Sequence, residues 1–311
     1  MELIRGFHNL QPRHRGCVLA IGNFDGVHLG HQALLSGLRE QSAALTVPVV
    51  VQVFEPTPRE FFDPANAPGR IATFRGKLAA LEAAGVDRVL CARFDRRLAQ
   101  MPAAQFVEEM LHQRLGVRAL VVGADFRFGA GRGGDLALLQ EQGRRLGFIA
   151  EAAGTVMSAG ERVSSTAIRA ALEVSDLERA ARLLGRSYTL IGRVRKGLQL
   201  GRKLDMPTAN LYLRRRPALR FGIYAVEAAC GSRRWQGVAN IGVRPTLEHS
   251  ACLLEAHLFG DVGDIYGEVL QVSFGKFLRP EQRFESLELL RAQMHADAQH
   301  ARNWFGAAAV R

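Results

Sequence analysis

Cysteine is scarce in this chain: Cys17, Cys91, Cys230 and Cys252 are widely separated, with no CxxC pair and no Cys/His cluster at zinc spacing. That excludes a disulfide-stapled or zinc-ribbon scaffold, and the thiols are expected to be reduced and mostly buried. Long apolar runs are missing too. Nowhere do eighteen apolar residues follow one another, and residues 1–16 lack the uninterrupted apolar centre of a secretory leader. Neither a membrane span nor export is indicated, and a cytoplasmic protein is expected. Lysine is nearly absent, with Lys77, Lys196, Lys203 and Lys276 the only four among 41 cations. Arg214-Arg215-Arg216 has no interleaved aromatic residues, so it reads as a solvated loop rather than a nucleic-acid patch. No internal repeat or low-complexity segment stands out.

What the chain does have is length and positive charge. At 311 residues it exceeds the size at which a single hydrophobic core stops growing, and 48% hydrophobic residues is ordinary for a soluble globular protein. Two domains are expected. The net charge of +11 is spread along the chain, 23 cations against 19 anions in residues 1–186 and 18 against 11 in residues 187–311. It argues weakly for anionic ligands, while an arginine bias of genome composition would produce it without selection for binding.

Residues 17–22 and 47–54 are short β-branched runs, and Ala33, Leu34, Leu35 and Leu38 between them recur at helical spacing. The alternation continues with a helix over 105–115, a strand over 119–122, a helix from an Asp135 N-cap to Gly147, and a strand over 148–152. Strands alternating with helices predict a parallel sheet covered on both faces. A capping-box pattern at residues 175–178 opens a helix that stops at Gly185, and a domain boundary is expected near Arg186. Beyond it, alternating segments at 188–195, 222–230, 233–242, 252–259 and 265–274 predict a small antiparallel barrel. A helix over about residues 286–303, with Leu287, Leu290, Met294 and Ala298 on one face, closes the chain.

The first strand runs into Gly22-Asn23-Phe24-Asp25-Gly26-Val27-His28-Leu29-Gly30-His31, where a helix begins. A helix N-terminus offers unpaired amides and the positive end of its dipole, so phosphates sit well there. His28 and His31 flank a glycine that permits close backbone approach, and they can donate to a triphosphate and to the charge growing on departing pyrophosphate. Taken singly, each histidine reads equally as a satisfied structural residue. Residues 121–129 (VVGADFRFG) follow another strand and bring Asp125 and two aromatics to the edge where open α/β folds bind ligands. Ser164-Ser165-Thr166-Ala167-Ile168-Arg169 supplies hydroxyls at a helix start and an arginine one turn on, again suited to phosphate. In isolation those hydroxyls are ordinary caps, and Phe126 and Phe128 ordinary core.

In that order, GNFDGVHLGH, VVGADFRFG and VSSTAIR resemble the adenylyltransferase half of bacterial bifunctional riboflavin kinase/FAD synthetases. The resemblance implies a Rossmann-like nucleotidyltransferase domain over residues 1–186. It implies ATP contacts from Gly22, Asn23, Phe24, Gly30, Asp125, Ser164, Ser165, Thr166 and Arg169. His28 and His31 would serve adenylyl transfer as the FMN phosphate attacks the α-phosphorus with Mg²⁺ assisting. Residues 54–59 (FEPTPR) look like the family's flavin-side loop, implying flavin contacts from Phe54, Pro56, Pro58 and Arg59, with Phe62 and Phe128 as ring contacts. That loop commonly carries His where this chain has Thr57, so the histidine's role does not transfer. No protein nucleophile is expected, because the substrate phosphate attacks directly and catalysis is positioning plus electrostatics.

Past the boundary, Gly192, Gly197 and Gly201 punctuate a loop whose amides can wrap phosphates. Thr208 and Asn210, two apart in an extended segment, point to one side and can converge on Mg²⁺ or phosphate; a turn followed by a polar strand face is the plain alternative. Glu255 and His257 alternate with apolar neighbours, so they face solvent or, if that face lies inside a cleft, the Glu255 carboxylate can take a proton from an attacking alcohol. Residues 207–210, 222–226, 237–246, the Glu255 strand, 265–268 and 277–281 together resemble the riboflavin kinase domain. That implies a six-stranded antiparallel barrel with a C-terminal helix over residues 187–311, with Gly192, Gly197 and Gly201 around ATP and Thr208 and Asn210 on its Mg²⁺. Arg279 would contact the flavin and Glu255 would activate the ribityl 5′-hydroxyl, with Glu268 ranked second. Riboflavin, FMN and ATP are the expected partners, FMN and FAD being substrate or product rather than prosthetic groups; neither nucleic acid nor membrane is expected. The family usually has glycine at Asp205, where a positive φ is expected and the added charge would weaken ATP binding.

Two other readings compete. A single-activity nucleotidyltransferase, for instance one acting on pantetheine phosphate, with an inert barrel explains the histidines but leaves Asn210 and Glu255 idle. A basic nucleic-acid or flavin-binding protein without catalysis predicts steeply salt-dependent binding and no ATP turnover. Oligomeric state is not legible.

Overall fold

The computed structural model describes residues 1–311 except 198–200, 202–203, 246–249 and 310–311, so Arg202, Lys203 and Thr246 of the motifs above lie outside the described residues. The chain packs into two compact units, Met1–Pro68 with Lys77–Val163, and Gly69–Gly76 with Ser164–Arg311.

The first unit is built on strands β1 (Glu2–Arg5), β2 (Cys17–Ile21), β3 (Val49–Phe54), β4 (Arg88–Ala92), β5 (Val117–Val122) and β6 (Ile149–Ala152), all parallel, in the order β1-β4-β3-β2-β5-β6. Every residue of β2 and β3 is buried, as a sheet covered on both faces requires. The cover comes from α1 (Leu29–Leu45), α3 (Phe74–Ala83), α4 (Phe106–Leu115) and α5 (Leu136–Leu146), while the short α2 (Pro58–Phe62) follows β3 and buries no residue. α4 is wound as a π-helix, and α5 runs from an Asp135 cap to a left-handed Gly147 as expected. Strands β1 and β4 escaped the sequence reading. Each carries an arginine beside its short apolar run, Arg5 at the end of β1 and Arg88 at the start of β4, so neither stands out as the continuous β-branched run that marks β3. From β2 the chain steps to β3 and β4 on one side and later to β5 on the other. The loops after β2, β3 and β5 therefore share the carboxyl edge at the topological switch point.

After a small hairpin of β7 (Met157–Ser158) and β8 (Glu161–Arg162), the second unit opens with α6 (Ser165–Glu173) and α7 (Leu177–Leu184). Six antiparallel strands follow: β9 (Thr189–Arg193), β10 (Ala209–Leu213), β11 (Gly222–Cys230), β12 (Arg233–Pro245), β13 (Ser250–Leu258) and β14 (Val269–Arg279). Their order is β10-β13-β12-β11-β14-β9, and a bridge from Arg195 to Asn210 brings the two edges together into a nearly closed barrel. α8 (Leu287–Ala309) buries Ala298, Ala301 and Phe305 against Met206, Ile223, Ala225 and Val238, while Leu287 at its start is exposed. All four cysteines are buried and free, and among the described residues no helix is long and apolar enough to cross a membrane.

Helices give way to strands near Arg186, but packing divides the chain at Ser164. Arg220 N donates to Leu172 O at 3.0 Å, Ser175 Oγ lies 3.0 Å from Tyr224 Oη, and α7 packs on β14. Burial pushes the Tyr224 hydroxyl up to about 12, so it stays protonated and donates to Arg220 O at 2.7 Å. Burying Ile168, Leu172, Leu183 and Leu184 stabilises by about 1.5–3 kcal/mol for each side chain, and the sum rivals the roughly 5–15 kcal/mol that holds a whole domain. A fragment of residues 164–311 is therefore expected to melt cooperatively, and one of residues 187–311 to be unfolded or aggregated by circular dichroism and light scattering.

Candidate active sites

The turn after β2 is strained. Phe24 and Val27 have φ of 45° and 42° and Gly26 has φ of 84°. Left-handed backbone at a buried aromatic and a β-branched residue costs of order 1–3 kcal/mol each and marks a position held for use. The turn delivers His28 as the N-cap of α1, its Nδ1 accepting from His31 N at 3.4 Å, so the neutral ring carries its proton on Nε2. The two imidazoles stack with centroids 3.7 Å apart and planes at 19°, and the Phe24 ring lies 4.7 Å from His31 on the other side. The glycines make room for this pile: a Cβ at Gly30 would stand 3.2 Å from the His28 ring, and one at Gly22 3.3 Å from the Phe24 ring. Asn23 is exposed at the turn.

Burial first, then the unfavourable electrostatics of adding a proton beside His28 and the fully buried Lys77, hold the His31 imidazole well below its ordinary 6.5. Its Nδ1 is buried with no hydrogen-bond partner among the described residues. The unfolded chain takes up this proton below about pH 6.5 and the folded chain does not, so the group subtracts stability as pH falls through 6.5. A polyphosphate at the stack favours the protonated ring. ATP binding at pH 6 is therefore expected to take up protons. Calorimetry in two buffers of different ionisation enthalpy measures the uptake, which should shrink in His31→Asn.

At the end of β3, Thr57 caps α2: its Oγ1 accepts from Glu60 N at 3.4 Å, and Thr57 N donates to Glu60 Oε2 at 2.9 Å. The departure from the family histidine is thus a complete capping box, with Pro58 in the first turn. Phe54, Phe61, Phe62 and Phe94 form an edge-to-face cluster with centroids 5.2–5.7 Å apart. Phe62 is 68% exposed and Phe54 buried, Pro56 is half-buried, and Arg59 faces solvent. Across the same edge Phe128 is buried against Phe106 and Phe126, Phe126 is half-buried and Asp125 exposed.

In the second unit, Ser164 Oγ accepts from Ala167 N at 3.1 Å, the ordinary N-cap of α6, with Ser165 and Thr166 in the first turn. Arg169 Nε donates to Gly69 O at 2.9 Å.

Strand pairing places Asn210 of β10, Glu255 of β13 and Asn240 of β12 directly opposite one another, so their side chains form one row on one face. Glu255 lines a cavity of about 260 Å³ with apolar walls from Leu204, Met206, Ile223, Val238, Leu290 and Met294. Thr208 and His257 line it too, and they also line a second cavity of about 670 Å³ that reaches Gly260, Asp261, Tyr266 and Arg302. Asn210 is buried; its Nδ2 donates to Thr208 O at 3.1 Å, leaving Oδ1 as an acceptor. Burial, Arg302 and His295 hold the His257 imidazole below its ordinary value. A Cβ at Gly197 would stand 2.9 Å from the Asn210 carboxamide, one at Gly192 2.9 Å from Leu211, and one at Gly201 would strike Met206 O. Arg279 lines the first cavity but its guanidinium is doubly bonded to buried Asp297, Nε to Oδ1 at 2.8 Å and Nη2 to Oδ2 at 2.7 Å.

Asp205 has φ of 60°, the left-handed conformation expected where the family keeps glycine. Its carboxylate is paired with Arg291 of α8, which offsets the charge it would otherwise present to a phosphate. Sequence reasoning passed over Lys77, Asn240 and Arg291. Lysine's rarity was the one signal for Lys77, a slim ammonium buried where the chain uses arginine almost everywhere else.

The sequence profile of the FAD synthetase family matches residues 10–167, and that of riboflavin kinase residues 184–305. A bifunctional riboflavin kinase/FMN adenylyltransferase of Pseudomonas fluorescens is 51% identical over 97% of both chains, and that of Escherichia coli K12 is 49% identical over 98% of both. A crystal structure described as a macrolide-efflux protein from Streptococcus pneumoniae is similar with a TM-score of 0.76 at 25% identity, over 98% of this chain and 100% of that one. With both profiles matched in order and relatives 49% and 51% identical along almost the whole chain, the chain belongs to the family of bifunctional riboflavin kinase/FMN adenylyltransferases.

Proposed function

We propose that the two reactions of the family are carried by separate residue sets, adenylylation within residues 1–186 and phosphorylation within residues 187–311. The chain phosphorylates riboflavin to FMN and adenylylates FMN to FAD. The observation that supports the division is that the stacked His28–His31 pair stands at the end of a strand of the parallel sheet, whereas the Asn210–Glu255–Asn240 row lies on the antiparallel barrel.

In adenylylation, His28 and His31 at the start of α1 donate to the ATP phosphates and to the pyrophosphate as it leaves, a charge-stabilising role. Gly22, Asn23, Phe24, Gly30 and Asp125 are assigned to the nucleotide with Ser164, Ser165, Thr166 and Arg169. Phe54, Pro56, Pro58, Arg59, Phe62 and Phe128 are assigned to the flavin. The exposed Phe62 ring, packed edge-on against Phe61 and Phe94, supplies a stacking surface, and Phe128 is buried with its ring stacked on the half-buried Phe126.

In phosphorylation, the apolar cavity takes the flat flavin ring, Arg279 borders it, and Glu255 on its wall accepts the proton of the ribityl 5′-hydroxyl. The larger cavity across Thr208 takes the nucleotide; Gly192, Gly197 and Gly201 are assigned to it from the loop before Thr208, Gly201 itself lining the first cavity. A hydroxyl, a carboxamide oxygen and a nearby carboxylate are hard oxygen donors that suit Mg²⁺, which keeps few protein ligands when phosphates supply the rest. Thr208 and Asn210 would hold it, and it would neutralise charge on the transferring phosphoryl group. A cytoplasmic location suits these substrates. Incubation with riboflavin and Mg-ATP, followed by chromatography of the flavins, is expected to show FMN rising first and FAD later, with ADP and pyrophosphate. Accumulation of a single flavin product with ATP in excess would overturn the reading.

A further inference from the structure

His257 stands at the junction of the two cavities in the second unit and has no part in the chemistry described so far. It follows Glu255 by two residues on β13, so both side chains leave the same face of the strand. Its Nδ1 lies 3.0 Å from Pro207 O. A carbonyl only accepts, so Nδ1 carries the proton and donates. Pro207 has no N–H with which to tie itself to a neighbouring strand; Met206 N donates to Gly201 O at 2.8 Å on the loop side, and the Pro207 carbonyl is the group that meets β13 through His257. The ring is also steadied from the other side: Phe259 meets it edge-on at 5.9 Å, and the Arg302 guanidinium covers Phe259 at 4.2 Å.

We propose that His257 is a positioning residue for phosphoryl transfer, clamping the Pro207–Thr208 peptide to β13 so that Thr208 and Asn210 are held in register with Glu255. This rests on the reading that Thr208, Asn210 and Glu255 serve the kinase reaction. The strand that holds the nucleotide's metal side is thereby tied to the strand that holds the base, and a displacement of about 1 Å between such groups can cost about 10²-fold in rate.

The test uses the full chain carrying His28→Ala and His31→Ala, so that one nucleotide site is titrated. Calorimetry measures ADP affinity with and without Mg²⁺, and riboflavin turnover is measured in parallel. His257→Phe removes the donor and keeps a ring. It is expected to lose about tenfold or more of the affinity that Mg²⁺ adds to ADP, and to lower kcat by about 10- to 100-fold, with KM for riboflavin within about twofold. His257→Asn, whose amide N–H can replace Nδ1–H, is expected to recover both to within about threefold. Should the Phe variant fail to fold, His257→Leu takes its place. A folded donor-less variant with the parent's Mg²⁺ dependence, or an Asn variant as impaired as Phe, would overturn the inference. Asn210→Ala and Glu255→Gln run alongside. If Asn210→Ala keeps the Mg²⁺ effect and Glu255→Gln keeps turnover, it is the underlying assignment that has failed.

Discussion

Glu255→Gln slows riboflavin phosphorylation by about two to four orders of magnitude, the range for removing a general base, and leaves conversion of supplied FMN to FAD unchanged. The substitution keeps volume and hydrogen-bonding reach but removes the carboxylate to which acceptance of the 5′-hydroxyl proton is assigned. In barrier height the loss is about 3–5 kcal/mol. The fold should hardly notice, because Glu255 is half-buried at a cavity wall and its strand is paired on both sides, with β10 and β12. The decisive measurement is kcat for each reaction from its own substrate, with circular dichroism on the same sample. A variant that keeps its kinase rate would move the base elsewhere, and Glu268 would be tested next.

His28→Ala with His31→Ala has the opposite pattern: FAD formation from FMN falls by about 10³ or more while riboflavin phosphorylation continues. One charge-stabilising donor is typically worth about 10²–10³ in rate, and two donors aimed at the same phosphates act together rather than additively. There is a structural cost to separate out. His28 caps α1 through Nδ1, and replacing a cap by Ala costs about 0.5–2 kcal/mol. The double variant should melt lower yet remain folded at 25 °C, and the kinase rate in the same tube reports that the chain is intact. If this variant and Glu255→Gln lose the same activity while folded, separate residue sets are the wrong description.

Much of this was readable before any coordinates. Apolar runs located β2, β3 and β5, the helical period located α1, and alternation located β9, β11, β12, β13 and β14, because burial imposes those patterns on any sequence that covers a sheet or lines a core; β10 was seen only as an extended segment, and α5 was found from its caps. Cap chemistry located the start of α6, since Ser164 has only local partners to satisfy. The left-handed turn at Asp205 followed from a residue type that tolerates it. The histidine pair and Glu255 were legible as motifs.

Their geometry was not. Nothing local predicts that Phe24 and Val27 adopt positive φ, because the strain is tolerated only when the surrounding structure overdetermines the turn. Nor does spacing reveal that His28 and His31 stack, or that a buried Lys77 reaches His31 with its charge. Asn240 faces Glu255 across some fifteen residues of chain through β-register, a long-range pairing fixed by the whole barrel. Arg291 answers Asp205 from a helix more than eighty residues away. Residue types, turn chemistry and burial period are local and survive in the one-dimensional text. Which charges meet, which rings stack and which strand carries whose partner depend on closure of the sheets, and those followed from the packed fold.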